Sequence, residues 1–375
     1  MTAPRLEIDL DKIRHNARAL VERLAERGIS VTGVTKAALG SPEIGNALLG
    51  GGVNALGDSR IENIEAMRRA RVPASITLVR SPMPSQADRV VAHADVSFNT
   101  ELDVISQLSS AALRARKTHG IVLMVELGDL REGIMPGDLE DTVRDSLRFP
   151  NIVLKGIGTN LACRSGVAPD DSNMTELSGL ADSVDATFGD RLKIVSGGNS
   201  GNLQWALGGA NVGRVNNLRL GESLLLGRET LHRAPIEGLH TDAITLVAEV
   251  IESKIKPSMP WGEVAQNAFG HPPPAHCRGL IPQTILAIGC QDTDPSGLHP
   301  PPGCAILGAS SDHLIVDSGH RMQVGAEVTF QLTYSALVRA MTSPFVAKVM
   351  KVRDGRTDAG ADPAAGVLPT AASLN

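Results

Sequence analysis

The feature that most constrains this chain is a series of eight short runs, apolar almost throughout, separated by stretches with helical spacing. They read ISVTGVTK (29–36), VNALG (53–57), SITLVR (75–80), DVSFN (95–99), IVLMVEL (121–127), IVLKGIGTN (152–160), LKIVSG (192–197) and VGRVNNLRL (212–220). A strand with one wet face alternates apolar and polar residues, whereas a run apolar on both sides must be covered on both sides. Parallel strands under flanking helices are covered in that way. Eight such units within roughly 230 residues predict a closed (β/α)8 barrel of the TIM type in preference to an open doubly wound sheet. A short strand at Leu6–Leu10 precedes them. It leads into a helix with Ile13, Ala17, Leu20, Val21 and Leu24 on one face, for which Asp11 is the expected cap and Gly28 the expected end.

Past about residue 232 the texture changes. Short apolar stretches (ITLVAEVIES, TILAIG, AILGAS, HLIVD, AEVTFQLTY) lie between turns rich in Pro and Gly, which reads as a C-terminal mainly-β domain. From Arg353 the chain is Ala, Gly, Pro and Asp with little to bury, so a disordered tail is expected. The expected layout is a barrel over 1–232, a β domain over 233–352 and a tail over 353–375. A chain of 375 residues is too long for one ordinary core, in keeping with that division.

Acidic residues (41) slightly exceed basic ones (36) and no run of Lys and Arg occurs, which argues against nucleic acid or an anionic membrane as partner and for small-molecule chemistry. No apolar run is long enough to span a bilayer, and the first residues lack the pattern of a secretory leader. Cys163, Cys277, Cys290 and Cys304 show neither CxxC spacing nor the density of a disulfide scaffold. Reduced thiols and a cytoplasmic location are expected.

Barrels of this kind do their chemistry where strands end and the following loops begin. Those ends supply Lys36, Asp58, Arg80, Asn99, Glu126, Asn160, Gly197 to Ser200, and Arg219. A lysine at the top of such a strand would be partly desolvated and low in pKa, the condition for forming an imine with an aldehyde. By position alone it could equally be an ordinary surface lysine. The turns SGGNSGN and LGES could point unpaired N–H groups at a phosphate or simply be flexible loops.

Several segments, in collinear order, resemble the fold-type III pyridoxal-phosphate racemases, that is, the alanine racemase family, and most closely its ornithine racemase branch. They include LEIDLDKIRHNA (6–17), VTKAALG (34–40), GDSRIENI (57–64), LMVELGDLREG (123–133), GIGTNLACRSGV (156–167), SGGNSGNL (196–203), NNLRLGESLLLGRET (216–230), GASSDHLIVD (308–317) and RAMTSPFV (339–346). The resemblance implies a racemase that interconverts L- and D-amino acids by proton abstraction at Cα. It puts pyridoxal 5'-phosphate on Lys36, with Asn199, Ser200 and the backbone of Gly221 and Glu222 about its phosphate and Arg219 facing the pyridine nitrogen. It makes Arg131 the receptor of the substrate carboxylate. Read on its own, Arg131 could instead pair with Asp129 or Glu132. A homodimer whose β domain covers the neighbour's barrel mouth is also implied.

The chain departs from the alanine racemase pattern in three places. AIGCQDTD stands where that family has its catalytic tyrosine segment, so Cys290 becomes the candidate second base and Asp292 its competitor. Tyr334, the sole tyrosine, does not match the catalytic position. Asn160 replaces the histidine that orients the tyrosine, and Met124 the lysine whose carbamate steadies the substrate arginine. These losses weaken alanine as substrate and favour ornithine or another polar or basic amino acid. Asn160 and Ser311 join the expected substrate contacts, and Asp58, Asn99, Asp292 and Asp312 are candidates to receive a distal ammonium. A lyase or aldolase on the same scaffold is an alternative, although its metal-using members carry a His-x-Cys pair that SSDHLIVD lacks, so no metal is expected. A non-catalytic carrier of the cofactor is a third reading, against which the large β domain speaks.

Overall fold

The computed structural model describes residues 2–209, 211–266, 269 and 278–352. The expected disordered tail, 353–375, and Cys277 lie outside the described residues. Strand β1 (Arg5–Asp9) opens the chain. Strands β2 (Ser30–Val34), β3 (Ala55–Asp58), β4 (Ile76–Leu78), β5 (Val96–Asn99), β6 (His119–Met124), β7 (Ile152–Gly158), β8 (Ile194–Ser196) and β9 (Asn217–Leu220) then pair in parallel, each with the next. Val31 of β2 pairs with Leu218 of β9, which closes the ring as a barrel. All eight fall within one to five residues of the apolar runs seen in the sequence. β7 and β8 approach so closely at Gly156 that a Cβ there would lie 1.9 Å from the Ile194 carbonyl oxygen, which is why the wall carries glycine at that point.

The remaining strands, β10 (Ile244–Pro257), β11 (Leu280–Leu286), β12 (Leu298–His299), β13 (Ala305–Ala309), β14 (Leu314–Asp317), β15 (Glu327–Leu332) and β16 (Ala347–Lys351), form a second, largely antiparallel sheet. Its order is β12-β15-β10-β11-β14-β13, and β10 bends at a bulge between Val250 and Glu252 to serve both halves. β1 belongs here. It runs antiparallel to β10 and parallel to β16, so the first expected unit gives up its opening strand to the second sheet. A lone strand at the N-terminus carries no mark of which sheet will complete its hydrogen bonds.

The helix after β1, Leu10–Ala25, buries Ile13, Ala17, Leu20 and Leu24 as the spacing requires. Its cap is Asp9, whose carboxylate accepts from the Lys12 N–H at 3.0 Å, rather than Asp11, which sits inside the first turn and pairs with Arg14. Gly28 follows its end with φ +70, a conformation that glycine adopts without strain. A second helix, Tyr334–Thr342, lies between β15 and β16 and packs against the turn Lys36–Ala38 at the end of β2. It thereby brings Tyr334 to the end of β2 in its own barrel.

At the start of β6, His119 is 1% exposed and shares a 2.8 Å hydrogen bond with the Ser97 hydroxyl. Burial pushes its imidazole down to about 4, so it stays neutral in the fold while the unfolded chain takes up a proton near pH 6.5. Between those values the unfolded state binds more protons, so stability falls as pH falls from about 6.5 toward about 4. Urea unfolding at pH 7.5 and pH 5 is expected to differ by about 2 kcal/mol from this residue alone. A His119→Asn variant should lose that increment of acid sensitivity, and an unchanged pH slope in the variant would contradict the assignment.

Candidate active site

A cavity of about 390 Å³ opens at the C-terminal ends of the barrel strands, with lining from Lys36, Arg60, Arg80, Arg131, Asn160 and Tyr334 among others. Lys36 follows β2 directly. Thr35 leaves the strand in the bridge conformation (φ −90, ψ 0), and the turn Lys36–Ala38 begins there. Beneath it, the Thr35 hydroxyl is 2.8 Å from the buried Asp58 carboxylate, which also accepts from the Arg60 N–H and the Asn63 amide. Burial pushes the Asp58 carboxyl upward against those donors. The Lys36 side chain itself is exposed to the cavity, not desolvated as its strand-end position suggested. Its Nζ lies 5.6 Å from the ring centroid of Tyr334.

On the far side of the mouth, Ser200 opens a short turn capped by Asn199, after Gly198 at φ +144. The Ser200 hydroxyl lies 3.0 Å from that of Ser223 and accepts from the N–H groups of Gly221 (3.4 Å) and Ser223 (3.3 Å). Hydroxyls and N–H groups thus converge where the short helix Glu222–Leu226 begins, an arrangement suited to a phosphate. The Glu222 side chain turns the other way and pairs with Arg233; burial raises its carboxyl.

Arg219 is 5% exposed and lies on β9, 5.0 Å above the Phe98 ring, in a barrel layer shared with Val122 and Met124. Its guanidinium donates to the Ser196 hydroxyl (2.6 Å), the Thr159 carbonyl (2.7 Å) and Asn160 Oδ1 (3.1 Å). The Ser196 hydroxyl in turn donates to Asn217 Oδ1, and Asn217 donates to Thr32, so the arginine is anchored by a polar chain through the barrel. Burial, followed by the neighbouring Arg131, pushes Arg219 down to about 9, still protonated at neutral pH. Asn160 Oδ1 also accepts from Asn199 at 3.2 Å, which turns its Nδ2 away from both. That buried Nδ2 has no hydrogen-bond partner among the described residues.

Arg131 sits on a loop built by acids. Glu126 accepts from the N–H groups of Gly128, Leu130 and Arg131, and Asp129 from those of Cys163, Arg164 and Ser165. The Arg131 side chain meets Glu132 at 3.2 Å and Cys163 Sγ at 3.5 Å, so of the two acids considered beforehand Glu132 is its partner.

Within one chain the structure does not bring the remaining candidates to this cavity. Asp58 and Asn99 are wholly buried below it. Cys290, Ser311 and Asp312 cluster on the β domain instead, with the Cys290 N–H donating to the Ser310 carbonyl and Gln291 meeting Asp312 at 3.2 Å. Asp292 turns inward to accept from Ser343 at 2.7 Å. Burial raises the Cys290 thiol, away from the range of a ready base. Conversely, Tyr334, Arg60 and Arg233 reach the cavity without having been candidates. Their signal lies in topology: Tyr334 comes from the opposite end of the sequence, and only the packing of its helix on the Lys36 turn brings it there.

The chain can now be set beside known proteins. Residues 8–229 match the family described as alanine racemase, N-terminal domain. Over 351 residues, 92% of this chain and 99% of the relative, it is 40% identical to an ornithine racemase of Acetoanaerobium sticklandii. It is 36% identical to a lysine racemase of Thermotoga maritima, over 93% of this chain and 99% of that one. Among solved structures, an alanine racemase from Streptomyces lavendulae superposes with a TM-score of 0.72 at 18% identity, covering 94% of this chain and 98% of that one. A D-threonine aldolase from Filomicrobium marinum also reaches 0.72 at 16% identity, covering 93% and 91%, so the fold alone does not choose between these chemistries. The family match across the barrel and the two racemases aligned along nearly its whole length do choose: this chain belongs to the alanine racemase family.

Proposed function

We propose that this protein is a pyridoxal-phosphate-dependent racemase of basic amino acids, with ornithine or lysine as substrate. The observation that carries the reading is one cavity holding an accessible lysine amine, a hydroxyl and N–H cradle at Ser200, and a buried, fixed guanidinium at Arg219. The relatives at 40% and 36% identity, named for ornithine and lysine, support the substrate class.

The residues present fit the cofactor. Lys36 offers the amine, while Ser200, Gly221, Glu222 and Asn199 would hold the phosphate. Arg219 would donate to the ring nitrogen, and its other N–H groups are already committed to Ser196, Thr159 and Asn160. The unpartnered Asn160 Nδ2 is a buried donor that calls for an acceptor from a ligand. When bound, the cofactor supplies an electron-withdrawing ring conjugated to the substrate nitrogen, which acidifies Cα–H.

The protein's part is to orient and to move protons. Arg131 would grip the substrate carboxylate so that Cα–H stands above Lys36. Lys36 Nζ takes or returns the proton on one face. The opposite face needs a second group, for which we propose Cys290 of a second copy, with Ser311, Asp312 and Asp292 in the same loops, because the single-chain cavity does not contain them. A homodimer with shared sites follows from that reading.

Incubation of the holoenzyme with single L-amino acids in D2O tests it. Ornithine and lysine should lose optical rotation together with Cα–H, and alanine should do so at least about tenfold more slowly. Exchange with retained chirality would overturn the racemase reading, and equal rates on alanine would overturn the substrate class.

A further inference from the structure

Asp58 ends β3 wholly buried, and among the described residues no cation pairs with it. Neutral donors hold its carboxylate instead. Oδ2 accepts from the Thr35 hydroxyl at 2.8 Å, and Oδ1 accepts from the Arg60 N–H at 3.0 Å and the Asn63 amide at 2.9 Å. A buried charge without a counter-ion is costly, and burial pushes this carboxyl upward accordingly. An asparagine of the same shape could accept from Arg60 and Asn63 without that cost. It could not give Thr35 a charge-assisted bond.

These bonds hold both ends of the turn that carries Lys36. Thr35 immediately precedes the lysine and is tied to Asp58 by its hydroxyl and to the Gly57 carbonyl by its N–H at 2.8 Å. At the other end Gly40 lies so close to Asn63 that a Cβ on it would come within 2.7 Å of the Asn63 Cβ. Between them the chain passes through two successive left-handed residues, Leu39 at φ +52 and Gly40 at φ +66. Leu39 bears a side chain in a conformation that L-residues avoid, and such a backbone persists only where its surroundings over-determine it. Asp58 does so directly at Thr35 and, through Asn63, at Gly40. Lys36 Nζ has no hydrogen bond or ion pair of its own among the described residues. Its direction is therefore inherited from the turn.

We infer that Asp58 is a positioning residue for Lys36: it sets the turn from Thr35 to Gly40, and with it the point and angle at which the Lys36 amine enters the cavity. The inference rests on the racemase reading above, in which that amine carries the cofactor and moves the Cα proton. Proton transfer and covalent attachment both depend steeply on where the amine stands, so a small shift of the turn is felt in each.

Thr35→Val and Asp58→Asn in the full-length protein test this. Each removes the charge-assisted bond between the two residues while keeping side-chain size, and Thr35→Val leaves the Arg60 and Asn63 bonds in place. The first readout is the condensation of Lys36 with pyridoxal phosphate added to the cofactor-free protein, the amine adding to the aldehyde carbon with loss of water, followed by yellow absorbance. Its rate should fall about tenfold in either variant, whereas affinity for pyridoxine phosphate, which keeps ring and phosphate but has no aldehyde, should stay within about twofold. In the holoenzyme kcat for ornithine should fall about 10- to 100-fold with KM within about threefold. Both variants cut one link, so the double variant should be no slower than the slower single. An unchanged condensation rate in Thr35→Val, or a loss of pyridoxine phosphate affinity as large as the loss of rate, would overturn the proposal, as would effects that multiply in the double variant. A wild type that condenses with the cofactor at Lys36 yet racemises no basic amino acid would instead remove the functional reading and leave the positioning of Lys36 standing.

Discussion

Lys36→Ala is expected to abolish proton exchange at the substrate Cα, lowering the rate on the order of 10⁴-fold, and to remove the yellow absorbance of bound cofactor. The reason is positional. Lys36 is the lysine of the cavity lining, it begins the turn at the end of β2, and its amine is exposed toward the space that the Ser200 cradle closes on the other side. No other lysine among the described residues lines that space, so no neighbouring amine can take over either the covalent link or the proton. The same exposure makes the test clean. Removing an exposed side chain should change the stability of the cofactor-free protein by no more than about 0.5 kcal/mol, so loss of activity cannot be blamed on unfolding. Borohydride reduction of the wild type followed by peptide mass analysis should find the cofactor on the peptide containing Lys36. Persistent absorbance in the alanine variant, or a label on another lysine, would sink the assignment.

The second large effect is expected at Arg219. A buried cation with no carboxylate partner among its hydrogen bonds is held at a cost of a few kcal/mol, visible as its pKa pushed down to about 9. Arg219→Leu relieves that cost but leaves the Thr159 carbonyl, Asn160 and Ser196 short of a donor, at about 1 kcal/mol or more each. The two changes oppose each other, so thermal stability should move little. Activity should fall about 10²-fold or more, because a donor fixed in advance at the ring nitrogen is lost. Arg219→Lys adds a second diagnostic. Ordinary lysine ionises lower than arginine, and the same burial would carry it into the neutral range. The lysine variant should therefore show a new ionisation between about pH 6 and 8 in kcat/KM, protonated and active on the acid side, which the wild type lacks. A leucine variant within tenfold of wild type, or a flat pH profile for the lysine variant, would contradict this account.

Much of the architecture was legible beforehand, for a definite reason. Strands buried on both faces need unbroken apolar runs, and Val31, Leu56, Ile76, Ile121, Ile157, Val195 and Leu218 show that need directly in their neighbours. Helix Tyr334–Thr342 was not legible, because the β-like stretch AEVTFQLTY runs straight into it and Thr333 merely marks a boundary that many turns share. Of the candidate residues, those attached to the barrel ends (Lys36, Arg131, Asn160, Asn199, Ser200, Arg219, Gly221 and Glu222) all line one cavity. The ring of strands aligns all eight ends, and a side chain there that turns toward the mouth joins the others. Asp58 and Asn99 share that position but are buried away from the cavity, where Asp58 accepts from Thr35 and Asn63, and Asn99 donates to Ser97.

What the sequence alone determined was the local alphabet: which runs become covered strands, which turns carry glycine, and which polar residues stand at strand ends. Which sheet takes β1, that Arg131 pairs with Glu132, and that Tyr334 stands beside Lys36 were settled only in three dimensions. Hydrogen-bond pairing and charge neutralisation depend on what arrives from elsewhere in the chain, and no local pattern records the arrival.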